Sequence, residues 1–246
     1  MVLLIARRQG RDHSAQVPID LQSKRSLRLV IVSPHFDDGV LSIGAAMASW
    51  VRGGHRVGLL TVLGCDPEST APAGGWDSRG GYATEGEAAR ARRAEDRRAC
   101  ETLRVSPMWL PYGSNDYERH GDEDDVWNAI ATTVADAALV LVPGFPLSHP
   151  DYAWLGALLA ERLSPDRLGR YAEQPYTFRE RGTPFSRVQT SGRDRVVKWR
   201  AIRKYASQLL LLGMRGTRGA ARLAWSDERI AVPAALTELG STLHER

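Results

Sequence analysis

Residues 28–39 read RLVIVSPHFDDG, an arginine and four apolar residues followed by Ser33-Pro34-His35-Phe36-Asp37-Asp38-Gly39. The unbroken apolar run Leu29-Val30-Ile31-Val32, closed by a proline, describes a strand buried on both faces, Arg28–Ser33. Ile43, Met47, Trp50 and Val51 then mark one face of a helix over residues 40–52 that stops at Gly53-Gly54. The turn between the two carries an imidazole and two carboxylates within four positions. Capping by Asp38 would account for one carboxylate. A histidine beside two of them points instead to a held cation, with imidazole nitrogen and carboxylate oxygen both suited to zinc.

The same alternation continues along the chain. Residues 56–63 (RVGLLTVL) form a second buried strand, 87–103 a charged helix, 108–110 a short strand and 124–137 a helix striped by Val126, Trp127, Ile130 and Val134. Residues 138–142 (ALVLV) form another strong strand, and 152–163 a further helix. Continuously apolar strands alternating with helices predict an α/β fold: a Rossmann-like, mostly parallel sheet with helices on both faces. Residues 64–86, rich in Gly, Pro, Ser and Thr and holding Trp76 and Tyr82, read as a substrate loop or lid. Beyond Tyr171 the pattern loosens, with a polar loop over 178–196 and one long helix over 197–212. The expected organisation is a polar arm over residues 1–26 and a single domain with C-terminal additions over 27–246.

In such sheets ligands bind at the carboxyl ends of the strands. SPHFDDG lies at one such end and PGFPLSHPD, residues 143–151, at another, so His149 joins the same edge as His35. The other four histidines lie in polar or terminal contexts and take no role.

Bulk composition bounds the partners. The 246 residues are 43% hydrophobic and 25% charged, as in ordinary globular proteins, with a net charge of +4. The arginines at 90, 92, 93, 97 and 98 alternate with Glu87, Glu95 and Asp96, a salt-bridged helix surface and not a nucleic-acid stripe. The opening MVLLIA is too short for a signal-peptide core or a membrane span. We expect a cytoplasmic protein with no nucleic-acid or membrane partner, and homo-oligomerisation stays open. Two cysteines do not make a disulfide framework. The first turn lacks GxGxxG, which argues against nucleotide binding.

Several motifs in order resemble the LmbE-like (PIG-L) N-acetylglucosaminyl deacetylases. His35-Phe36-Asp37-Asp38 is similar to their HPDD signature and His149-Pro150-Asp151-Tyr152 to their HPDH signature. Arg92-Arg93-Ala94-Glu95-Asp96 resembles the family's Arg-x-x-Glu helix, and Asp116 falls near its aspartate after the third strand. PHFDDGVLS, Tyr171-Ala172-Glu173-Gln174-Pro175-Tyr176 and Tyr205-Ala206-Ser207-Gln208 resemble a bacterial branch with DDAVLS. The resemblance implies zinc, or another divalent metal, held by His35 and Asp38, with Asp37 as general base and His149 as oxyanion stabiliser or acid. Arg92 and Asp116 would contact an amino-sugar or glycoside substrate, although an i,i+3 pair of Arg92 with Glu95 is the plainer alternative. The implied reaction is hydrolysis of a linear amide, removing an acetyl group through a water acidified by the metal. Tyr152 stands where the family has its third zinc-ligand histidine. That leaves the third ligand open and supplies a second reading, a metal-poor sugar-binding relative without turnover.

Overall fold

The computed structural model describes residues 26–114, 117, 122–214 and 216–233. Seven strands form one sheet in the order β3-β2-β1-β4-β5-β7-β6. These are β1 (Arg28–Ser33), β2 (Arg56–Thr61), β3 (Ser106–Trp109), β4 (Leu139–Phe145), β5 (Leu168–Ala172), β6 (Ser186–Arg187) and β7 (Arg229–Ala231). The first five run parallel, and β7 and β6 add an antiparallel edge.

The apolar run of β1 divides between two cores because successive side chains point to opposite faces. Leu29 and Ile31 pack with helix α1 (Asp38–Arg52), and with Ala99 and Leu103 of α3 (Glu85–Leu103). Val30 and Val32 face the other way, against Val126 and Ile130 of α4 (Glu123–Val134) and Leu155 and Leu159 of α5 (Pro150–Arg162). Gly39 lets α1 sit this close to the sheet. A Cβ there would stand 2.7 Å from Leu59 Cδ1.

From β1 the chain moves to β2 on one side, and β4 pairs with β1 on the other. The turns leaving β1 and β4 are therefore neighbours at the point where strand order reverses, the usual place for a ligand in such sheets.

Three expectations are corrected. The loop at 64–86 contains a short helix, α2 (Gly75–Arg79). The polar stretch at 178–196 holds β6, overlaps the end of a 3-10 turn, Tyr176–Arg179, and ends inside α6 (Gly192–Ile202). The single helix expected at 197–212 is two, α6 and α7 (Ala206–Leu211). The chain turns between them because the Tyr205 hydroxyl donates to buried Asp96 (2.6 Å) while Ser207 bonds Glu95 through its backbone N–H (3.0 Å) and its hydroxyl (2.7 Å). Helix α8 (Gly216–Trp225) closes the C-terminal layer.

Helix α1 is broken at Ile43, whose backbone leaves helical geometry (φ −133°, ψ 28°). The N–H groups of Ala45 and Ala46 donate to the two oxygens of Glu228, at 2.9 and 2.7 Å. Lys198 Nζ lies 2.7 Å from the same carboxylate, and both side chains are fully buried. A cation-paired carboxylate thus satisfies the donors that the break releases.

Candidate active site

The turn after β1 folds back on itself. Ser33 Oγ donates to the His35 carbonyl (2.7 Å) and accepts from Gly39 N (3.1 Å). Asp37 occupies the N-cap position of α1 without a side-chain capping bond, so capping does not explain the acidic pair. Asp38 Oδ2 accepts from the His35 backbone N–H at 2.9 Å and lies 3.1 Å from His35 Nδ1. The other ring nitrogen, Nε2, lies 3.0 Å from Asp151 Oδ2. The imidazole is fixed at both ends by carboxylates from separate strand ends.

Glu173 shapes the turn after β4. Its buried carboxylate accepts the N–H groups of Phe145 (2.8 Å) and Leu147 (2.9 Å), and its own N–H donates to the Phe145 carbonyl (2.7 Å). Leu147 adopts a left-handed backbone, φ 59°, and the chain then delivers His149 as the N-cap of α5. His149 Nδ1 accepts from the Asp151 backbone N–H (3.2 Å) and sits 3.8 Å from Asp151 Oδ2. The rings of His35 and His149 meet edge-on with centroids 5.2 Å apart.

Tyr152 is 2% exposed, and its hydroxyl donates to Asp38 Oδ1. Burial, then the Asp38 charge, pushes the phenol well above its ordinary range, so it is a neutral donor. Burial alone would raise Asp38, but the His35 charge and the bonds from His35 and Tyr152 hold it below the usual carboxylate range. Burial opposes protonation of His35, yet its two carboxylate partners outweigh burial and raise it to about 10. Burial and the Asp38 charge lift Asp37 to about 7, against the pull of His35 and Arg92.

The titratable side chains of the two turns, with Asp151 and Tyr152, border one cavity of about 270 Å³ that Glu173 supports from outside. His35, Asp37, Asp38, His149 and Arg92, each anticipated from sequence, line it together. Asp116 lies outside the described residues. Arg92 does not pair with Glu95. It forms an ion pair with Asp77, which also receives the Tyr117 hydroxyl. Sequence reasoning assigned no role to Asp77, Asp151 or Glu173. The motifs HPDY and YAEQPY contained two of them, but their places in the site depend on partners distant in sequence.

The residues fit a divalent cation, though not in the combination that the motifs imply. A neutral phenol already donating to Asp38 is a poor third ligand. His35, His149 and Asp151, by contrast, offer ligand atoms all within 4.8 Å of one another. His35 Nε2 and Asp151 Oδ2 stand 3.0 Å apart, close to the ligand–ligand spacing of about 3.3 Å that tetrahedral zinc bonds require.

Residues 30–162, just over half of the chain, match the family model PIG-L, GlcNAc-PI de-N-acetylase. The chain belongs to the PIG-L family. Solved structures of this type include a triple mutant of a deacetylase from the teicoplanin biosynthetic pathway. It shares 25% identity over 83% of this chain and 96% of that one, with a TM-score of 0.69. A zinc-inhibited form of teicoplanin deacetylase aligns at 21% identity and TM-score 0.68, over 83% of this chain and 97% of that chain. The 4-carboxy-2-hydroxymuconate hydratase of Pseudomonas putida shares the fold at 18% identity and TM-score 0.61, covering 83% and 95%. No curated protein matches the sequence. This PIG-L chain thus has a deacetylase-type fold whose structural relatives are enzymes. Among the described residues no helix is long and apolar enough to cross a membrane.

Proposed function

We propose that this PIG-L chain is a metal-assisted hydrolase that removes an acyl group, acetyl in the simplest case, from an N-acylated amino sugar or glycosylated small molecule. The observation that carries the reading is the convergence of His35, His149 and Asp151 in the cavity that Asp37 also lines.

In this reading His35, His149 and Asp151 hold the ion. Asp38 orients the His35 ring through Nδ1, leaving Nε2 for the ion, as carboxylates do behind many metal-bound histidines. The sequence-based assignment of Asp38 as a ligand gives way to this supporting role, and Tyr152 steadies Asp38 from its other oxygen. A bound divalent cation would polarise the amide carbonyl and acidify a water. Asp37, which lines the same cavity, takes the proton from the attacking water and returns it to the departing nitrogen. One water is consumed, the C–N bond breaks, both protons of the water end on the departing nitrogen, and the products are a carboxylate and an ammonium group. His149, which the family resemblance casts as oxyanion stabiliser or acid, serves here as a ligand instead. Arg92, held by Asp77, presents its guanidinium to the sugar.

The test is acetate release from an N-acetylglucosamine conjugate in the presence of zinc. Asp37→Asn should lose it by roughly 10²–10⁴-fold, the usual worth of a general base. Full activity in that variant would remove Asp37 from the mechanism.

The capture of Asp38 by Tyr152 favours one rival, a sugar-binding relative that holds no metal. Sugar binding without zinc and without acetate release would support that rival.

A further inference from the structure

The sequence singled out residues 64–86 as a lid and YASQ as a late motif, and the proposed chemistry uses neither. The structure joins them. Trp76 Nε1 donates to Gln208 Oε1 at 3.0 Å, and Gln208 Nε2 donates to Ser207 Oγ at 3.2 Å. Ser207 is in turn tied to Glu95 through both its backbone N–H and its hydroxyl. On the next residue of α2, Asp77 is held by Arg92 and Tyr117. The short helix is therefore clamped at two consecutive side chains by α3, α7 and Tyr117. It is a fixed wall of the cavity and not a loose flap. The Arg-x-x-Glu spacing on α3 acquires a physical meaning, with Arg92 holding Asp77 and Glu95 holding Trp76 through α7.

What the clamp presents is a partly exposed indole with its polar edge already satisfied, bordering the same cavity as Asp37 and His149. The Arg79 guanidinium, which borders the same cavity, covers one face of the ring at 5.1 Å from its centroid, so the face left for a ligand is the opposite one. A rigid aromatic with a fulfilled N–H offers its π-face at little entropic cost, and its preferred ligands are flat apolar faces such as those of a pyranose ring.

We propose that Trp76 is a specificity-determining residue of this site, a platform against which the saccharide ring bearing the scissile amide packs. Glu95, Ser207 and Gln208 are positioning residues that hold it. The inference rests on the cavity being the amide-cleaving site proposed above, and it deepens that reading by requiring a cyclic substrate.

The test compares binding of methyl N-acetyl-β-glucosaminide with that of acyclic N-acetylethanolamine, by calorimetry, in the Asp37→Asn background that blocks turnover. Adding Trp76→Ala should cut the preference for the cyclic ligand roughly tenfold, and Trp76→Phe should keep most of it. Gln208→Leu, which frees the indole, should cost a few-fold. Parallel loss of both ligands, or unchanged preference, would overturn the proposal. Should Trp76→Ala fail to fold, 5-fluorotryptophan labelling provides a second measurement. The ¹⁹F resonance assigned by Trp76→Phe should shift on titration with the glycoside, and a static resonance would overturn the platform. Preference for the ring without acetate release would sink the hydrolase and leave the platform. Acetate release without Trp76-dependent preference would do the reverse.

Discussion

The Tyr152 hydroxyl donates to Oδ1 of Asp38 across 114 residues of sequence, at the junction of the β1 and β4 turns. The bond closes off one oxygen of the carboxylate while His35 occupies the other. Its removal by Tyr152→Phe leaves a buried charged oxygen without a donor. We expect a loss of about 1–3 kcal/mol in unfolding free energy by urea titration. A loss within a few tenths of that of an unrelated surface substitution would mean that the bond contributes little.

Tyr152→His tests the neighbourhood differently. The Tyr152 ring lies 5.8 Å from the His35 ring and 5.3 Å from the His149 ring, centroid to centroid. An imidazole there should join the donor set, so zinc affinity measured by chelator competition should rise at least tenfold. Unchanged affinity would place the ion away from this ring.

The broken helix α1 depends on a buried ion pair. Lys198→Met should destabilise the fold by about 3–5 kcal/mol, because it strands the Glu228 charge beside the N–H groups of Ala45 and Ala46. Adding Glu228→Gln should recover part of that loss, since it removes the stranded charge while its one oxygen still accepts from one of the two N–H groups. Denaturation of the two variants decides it, and equal stability of the single and double variants would contradict the account.

Glu173 gives a pH prediction. Burial, against the backbone N–H groups it accepts, lifts its carboxyl from 4.5 to about 7 in the fold. Between those values the native state binds a proton that the unfolded chain does not. The contribution of Glu173 to stability is therefore fullest below about pH 4.5, declines as pH rises through 7, and is level above. Relative to Glu173→Gln, the wild type should lose stability between pH 5 and pH 7.5 in paired urea titrations. A difference between the two proteins that stays constant over that interval would refute the shift.

Much of the fold is legible locally. The strand at 28–33 is found with the boundaries that its apolar run dictates, and the parallel order follows from strand–helix alternation. Strand β5 escapes notice because glycine and arginine interrupt its apolar residues, and β7 because it spans three residues. The break between α6 and α7 is not visible in local periodicity, since its cause, Asp96, lies 109 residues from Tyr205. The site divides in the same way. His35, Asp37, Asp38 and His149 announce themselves by charge at strand ends. The place of Asp151 in the cluster emerges only when β4 pairs with β1 and brings it to a histidine 116 residues earlier. Trp76 was visible as an aromatic in a long loop, but the clamp that fixes it is assembled from α3 and α7.

The central claim is that His35, His149 and Asp151 form the cation site. The most direct measurement is the metal content of the purified protein after zinc loading and gel filtration, compared across wild type, Asp151→Asn and Asp38→Asn. The account predicts one zinc per chain in the wild type, loss in Asp151→Asn, and retention with weakened affinity in Asp38→Asn. A wild type without bound zinc, or zinc that survives Asp151→Asn and is lost in Asp38→Asn, would contradict it.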